Sequence, residues 1–312
     1  MVVALLVLCG IAAVAVSRTG GSAGTGSQVR ALPSTSPSPS PSPAASPEEY
    51  QQVLTALAGR LNTELVKLPA AHTPPDVLNA VTSAQGAVEG GLSSLRVISP
   101  PEAIRTAHDA FVRALTDLKD KLGQVAIQAT GRDICGGSAA VTDLSASVAA
   151  DAIHQAITQL STADPAHPYT VPPFFAAATP VANRQLANAT VIKKTTKGAN
   201  TLKVDNKSSR DTVVSMVPAN TNSAVLAVYV RAGNSSTTNS IRDGSYTIYV
   251  ASGTDWDPDA KAFTRNCEFS KFPENASMTS TSTRYTIETI TLNAGAGGNT
   301  VADPVDPGAF PN

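Results

Sequence analysis

Apolar residues recur along this chain in two rhythms, and the change from one to the other divides it. From residue 46 to about residue 163 they fall three and four apart, the spacing of one helix face. Val53, Leu54, Leu57, Leu61, Leu65 and Leu68 form a first stripe, and Val77, Val81, Ala84, Val88 and Leu95 a second. Ile104, His108, Phe111, Leu115, Leu118, Leu122 and Val125 form a third, and Val141, Leu144, Val148, Ile153, Ile157 and Leu160 a fourth. Start signals precede the first three. Ser46-Pro47-Glu48-Glu49 and Ser99-Pro100-Pro101-Glu102 each set Ser three residues before Glu, the capping-box spacing, with Pro in the first turn. Thr73-Pro74-Pro75-Asp76 places a capping Thr before Pro. The fourth stripe starts near Ser138. Four amphipathic helices with short connections predict an up-down four-helix bundle over 46–163.

Beyond a Pro-rich connection over 164–183, the period becomes two. Ala224, Leu226, Val228 and Val230 share one apolar face, and Val225, Ala227, Tyr229 and Arg231 share the other. Ala232-Gly233-Asn234 is a turn signal, and Asp243-Gly244 suits a tight hairpin. The stretch from Ala224 to Asp257 therefore predicts a three-stranded meander. Further strands are expected at 190–194, 201–206, 212–218, 267–272, 276–281 and 285–292. In the last, Tyr285 and Ile287 point one way and Ile290 and Leu292 the other, which predicts a β-bulge near Glu288. The expected class is α+β in two domains, with an Ig-like or transthyretin-like antiparallel β-sandwich over 184–295 and a tail over 296–312.

The start of the chain sets the compartment. Residues 1–16 carry no charge, a length suited to the core of a signal peptide and short for a transmembrane helix. Two readings stand, a membrane anchor and a signal cleaved after the small residues Ala13-Val14-Ala15. Both carry the rest out of the cytoplasm. Residues 17–45 are Gly/Ser-rich and then become Ser-Pro repeats from Ser36 to Pro43. Such chain extends by about 3.1 Å per residue and makes a semi-rigid stalk. Gly20-Gly21-Ser22-Ala23-Gly24 has the G-x-S-x-G form, but it sits in this stalk without the flanking strand and helix that a nucleophile elbow requires.

Charge and chemistry add little that is specific. A net charge of −1 argues against a nucleic-acid partner. No cofactor is expected, and the chain does not read as an enzyme. Asp255, Asp257 and Asp259 are the metal candidates, since alternate carboxylates resemble the opening of a calcium loop. The match fails at Ala260 and Asn266, and Asp side chains capping their own turns explain the spacing more simply. Trp256 and Tyr249 are the ligand candidates, as rings that stack a sugar. His108 and His154 each stand alone on their stripes and read as core-edge residues. Cys135 and Cys267 are the candidate disulfide, which fits an oxidising compartment. Asn188, Asn206, Asn234 and Asn275 head N-x-[ST] triplets.

The run VYVRAGNSSTTNSIRDGSYTIYVASGTDWDPDAKAFTRNCEF, followed by TSTRYTIETITLNAGAGGNT and a closing DPVDPGAFP, resembles the C-terminal domain of exported actinobacterial proteins. The helical half, with SPPEAIRTAHDAF, is similar to that of small actinobacterial lipoproteins. Leu8 departs from the small residue that such proteins carry ahead of a lipidated cysteine, here Cys9. The resemblance implies export and brings no activity or catalytic residues. The expectation is an extracytoplasmic envelope protein, single-pass or secreted, with a binding or scaffolding role. The membrane would be reached through the N-terminal segment, and the partner would be a cell-wall polymer or another envelope protein. The alternatives are a cell-wall hydrolase using carboxylates near Asp255–Asp259 and a carbohydrate-binding module.

Overall fold

The computed structural model describes residues 43–174, 183–293 and 302–311. The described residues belong to one compact unit. The expected signal or anchor segment over 1–16 and most of the expected stalk over 17–45 lie outside the described residues. Among those residues, no helix is long and apolar enough to cross a membrane.

The architecture is α+β, with five α-helices followed by a sheet-rich region. Helix α1 (Pro47–Leu65) opens with the expected capping box, in which the Ser46 hydroxyl accepts from the Glu49 N–H and Glu49 accepts from the Ser46 N–H. Thr73 caps α2 (Pro74–Val97). The box expected at Ser99 does not form. Pro101 disfavours helical backbone at Pro100 before it and is itself at ψ 142°, so a short 3-10 turn starts only at Glu102 and α3 (Arg105–Gly131) follows it. The predicted fourth helix is two, α4 (Gly137–Ser145) and α5 (Val148–Ala163). Ser147 divides them, because its hydroxyl accepts from the Ala150 N–H and begins a new helix. Val148, expected inward, is 84% exposed as a result.

Helix α1 packs on α2, α2 on α3, and α3 on α5. The stripes bury Leu54, Leu61, Val81, Leu92, Phe111, Leu115, Leu118 and Leu160 completely. Each such side chain contributes about 1.5–3 kcal/mol relative to exposure. The Pro-rich connection is more than a tether. Tyr169, Val171 and Phe174 are buried in the helical core. Gln51 grips the backbone there, donating to Thr170 O and accepting from Thr170 N–H, both at 2.9 Å. Gly137 sits so close to the 3-10 turn at Leu68–Ala70 that a Cβ would lie 1.7 Å from Leu68 O. Only glycine allows its N–H to reach Ala71 O at 2.7 Å.

The strands are β1 (Thr190–Lys194), β2 (Asn200–Asn206), β3 (Asp211–Pro218), β4 (Leu226–Val230), β5 (Ser235–Ile241), β6 (Gly244–Asp257), β7 (Ala262–Lys271), β8 (Ala276–Met278), β9 (Ile287–Leu292) and β10 (Asp303–Pro304). They make two sheets. The larger runs β1-β4-β3-β6-β7-β10, with β8 also pairing β6, and the smaller runs β5-β2-β9. The meander is not observed, because β4 and β6 lie in the larger sheet while β5 between them crosses to pair β2. The 242–243 link is a passage between sheets, where the Asp243 carboxylate accepts from Asn200 and Ser280. The β2–β9 pair is parallel. No bulge interrupts β9, whose register with β2 is continuous from Ile287 to Leu292. Strict alternation points Ile290 inward, while Tyr285 and Ile287 stay 57% and 48% exposed.

The two sheets share an apolar layer, with Leu202, Val204 and Ile290 from the smaller facing Val214, Met216, Val228 and Ile248 of the larger. The opposite side of the larger sheet carries Val213, Tyr229, Trp256 and Phe263, packed with Cys135 from the helical part. Strand β3 is covered on both faces, which is why TVVSMV reads as a nearly unbroken apolar run.

Candidate functional site

Chemistry-bearing side chains concentrate where the helical part meets the larger sheet. Helix α3 ends at Arg132 in the left-handed conformation (φ 65°), which turns the chain toward β7. Residues 132–136 then run against β7. Cys135 N–H donates to Thr264 O at 2.7 Å, Asn266 N–H to Asp133 O at 3.1 Å, and Cys267 N–H to Arg132 O at 3.1 Å. Cys135 and Cys267 are bonded as a disulfide between Cα atoms 6.2 Å apart, and both are buried.

Asp255 lies beside this seam in β6, with φ 56°, and is 4% exposed. Its carboxylate is fully engaged by Arg184. The guanidinium donates from Nε at 2.8 Å and from Nη2 at 2.9 Å, and the Arg184 backbone N–H adds a third bond at 3.0 Å. The Thr264 hydroxyl donates to it as well. Burial pushes the Asp255 carboxyl up, but the bonds from Arg184 and Thr264 outweigh it and hold the group below the usual carboxylate range. Asp257 accepts from the N–H groups of Asp259 and Ala260, from the Ser138 hydroxyl, and from Arg184 at 3.4 Å. Its carboxyl is lowered too, burial being outweighed by those N–H donors and the guanidinium. Asp259 is exposed in the turn.

Thus two of the three predicted metal candidates meet at one place, yet they converge on a guanidinium. Among the described residues no group of three or more His, Cys, Asp and Glu side chains is placed to hold a metal ion. A general acid needs a raised pKa, and the shifts at Asp255 and Asp257 run the other way. Trp256 is buried edge-on between Tyr229 and Phe263, at ring separations of 5.5 and 5.1 Å, and offers no face to a sugar. Tyr249 is half-buried and packs edge-on against Phe310, which the last described segment brings back to the sheet. Those two rings therefore do not form a stacking platform. Asn206 is completely buried and donates to Arg210 O and Val230 O, so it cannot accept a glycan in the folded chain. Asn188, Asn234 and Asn275 are exposed. Reading the sequence missed Arg184, Ser138 and Thr264. Arg184 stands 71 residues from Asp255 and carries no local signal of the pairing.

A second buried polar group lies in the helical core. The Tyr50 hydroxyl and His108 Nδ1 are 2.8 Å apart, and Tyr169 packs edge-on against Tyr50 at 5.3 Å. Burial first, then smaller contributions from Tyr169 and Asp109, push the Tyr50 phenol far above its ordinary value, so it stays protonated and shares a hydrogen bond with Nδ1 of the imidazole. Burial lowers the His108 pKa, against a smaller opposing pull from Asp109. His154 takes no part in this group.

Removing the hydroxyl in Tyr50→Phe is expected to cost about 1–2 kcal/mol, because it leaves a buried imidazole nitrogen unpaired. Urea unfolding at pH 7 measures it. Since the folded His108 pKa lies below the unfolded one, its contribution holds above about pH 6.5 and declines as pH falls below that. His108→Gln should flatten the stability profile between pH 7 and pH 5; an unchanged slope would assign the acid sensitivity elsewhere.

An apolar cleft of about 620 Å³ also opens in the helical part, between Leu65, Leu68, Leu144 and Phe174. No protein-family model, curated protein or solved structure matches the chain.

Proposed function

We propose that this chain is an extracytoplasmic envelope protein, in which the chain beyond residue 45 forms a disulfide-tied head for binding or scaffolding on a Ser-Pro stalk. The observation that carries the reading is the buried Cys135–Cys267 bridge, which belongs to an oxidising compartment. The uncharged segment 1–16 and the stalk over 17–45 agree with it. We read the helices as a bundle and the two sheets as a sandwich, on the strength of the apolar layer between them. The parallel β2–β9 pair separates that sandwich from the all-antiparallel immunoglobulin pattern. The role is binding rather than catalysis because the best carboxylates are consumed in holding the seam together.

Thiol labelling of protein isolated from its own host tests the compartment, read as intact mass with and without reduction. A chain that keeps Cys9 as a free thiol should take one label before reduction and three after it. A chain cleaved after Ala15 should take none and then two. Labelling of both Cys135 and Cys267 without reduction would refute an oxidising compartment.

A further inference from the structure

Strand β9 leaves one side of the smaller sheet open. Thr201 N–H donates to Thr286 O, and Lys207 N–H donates to Leu292 O. That phase turns the backbone groups of the even-numbered residues of β9 toward β2, and alternate residues of a strand bond opposite sides. The N–H and C=O groups of Ile287, Thr289 and Thr291 therefore point away from β2. Strand β9 ends its sheet, and among the described residues nothing bonds those groups. Exposed edges are normally blunted by Lys, Pro, a bulge or a covering segment. Strand β9 has no Lys, Pro or bulge, and its first residue Ile287 is exposed, as is Tyr285 just before the strand.

A groove of about 630 Å³ runs beside this edge, between β9 and the segment that joins β7 to β8. Ile248, Phe272, Ala276 and Ile290 give it apolar walls, and Glu274 and Glu288 give it two carboxylates. Glu288 lies on the same side of β9 as the buried Ile290. Neither carboxylate is ion-paired among the described residues.

We propose that the β9 edge takes an extended segment of a partner protein as a further strand, with a Lys or Arg side chain of that segment reaching Glu288 and Glu274. Backbone bonds to Ile287, Thr289 and Thr291 supply affinity, and the groove selects the alternate side chains. A second copy of this chain fits less well. A two-fold pairing of β9 about Thr289 sets Glu288 opposite Ile290 of the other copy. The two Glu288 side chains then become diagonal neighbours beside Glu274, with no cation between them.

The inference deepens the binding role proposed above and rests on it. Export is read by thiol labelling, so peptide binding can fail while export stands.

The test pans a displayed random dodecapeptide library on the full-length chain. Enriched peptides should alternate β-branched residues and carry Lys or Arg. Thr289→Pro removes an outward N–H and no bond to β2, so it should weaken the enriched peptides at least about tenfold without lowering the unfolding midpoint. Thr291→Pro should do the same and serves if the first variant is unstable. Glu288→Gln should erase the preference for a basic peptide over its uncharged counterpart. The proposal is overturned if no peptide is enriched, if enriched peptides lack basic residues, or if the Pro and Gln variants bind them unchanged. A parent dimer that Thr289→Pro dissociates would overturn it in favour of a second copy.

Discussion

Arg184→Ala is expected to destabilise the protein by about 3 kcal/mol at pH 7, because it strands the Asp255 carboxylate in the seam. The carboxylate is 4% exposed, whereas the guanidinium is 39% exposed, so water reaches one partner and the lower end of the range applies. The variant keeps the backbone N–H of residue 184 and the Thr264 hydroxyl as donors. Those two bonds limit the loss. Arg184→Lys should recover only part of it, since an ammonium cannot bond both oxygens of the carboxylate as the planar fork does. The pH dependence identifies the cause. Asp255 has a lowered pKa in the folded protein, so its contribution is present above about pH 4, the unfolded value, and is lost as pH falls through the folded value. Without Arg184 the remaining dominant influence is burial, which raises the pKa, and protonation then favours the fold. The stability gap between parent and variant should narrow steadily from pH 7 to pH 3.5. Urea unfolding of both proteins across that range measures it. A constant gap would mean that Arg184 acts by packing its methylenes, and the electrostatic account would fail. Asp255→Asn placed on Arg184→Ala should restore most of the loss at pH 7, because it removes the stranded charge.

The helices were legible in the sequence because their determinants are local. Ser46 and Glu49 lie within one turn, and the stripes that bury Leu54, Leu61, Phe111 and Leu118 repeat along a single element. The misreadings are local conflicts. Pro101 overrode a well-spaced capping box, and Ser147 divided a helix that the apolar stripe would have carried through. The strands were also found, several of them to within a residue, since period two survives in short runs. Their partners were not. Nothing in the sequence of β5 says that it joins β2, because pairing is decided by distant residues and by which faces remain to be covered. The candidate site divides the same way. The spacing of Asp255, Asp257 and Asp259 drew attention to the right place, and the disulfide followed from there being two cysteines beyond residues 1–16. The role of the carboxylates depended on Arg184, and that of Trp256 on Tyr229 and Phe263, all brought together only by the fold. The β-bulge expected near Glu288 fails for a related reason. Two apolar pairs on opposite faces look like a bulge if every apolar residue is assumed to point inward, whereas Tyr285 and Ile287 point out.

The largest effect is expected from removing the disulfide. The bridge joins residues 132 apart in sequence. Closing a loop of that length in the unfolded chain corresponds to about 5 kcal/mol on the chain-entropy account. Measured values commonly fall below that figure, and substitution by Ala also leaves a small void beside Trp256 and Phe263. Cys135→Ala with Cys267→Ala should therefore lower stability by about 3–5 kcal/mol and the midpoint of thermal unfolding by about 10 °C. The folded seam itself should persist, because Cys135 N–H, Asn266 N–H and Cys267 N–H keep their backbone acceptors whatever occupies the side chains. The entropic origin makes a second demand. Without the bridge the unfolded chain expands and exposes more surface, so the dependence of stability on urea should steepen in the double variant. A loss of stability with an unchanged slope would locate the effect in the folded packing around the sulfur atoms, and an unchanged midpoint would mean that the bridge restrains nothing. Reduction of the parent gives an independent reading. Cys135 and Cys267 are 1% and 2% exposed, so a thiol reaches them only when the seam opens. Reduction under native conditions should be slow and should accelerate in mild urea well before global unfolding if the helical part can part from the sheet on its own. If it accelerates only in step with global unfolding, the helices and the larger sheet unfold together as one cooperative unit.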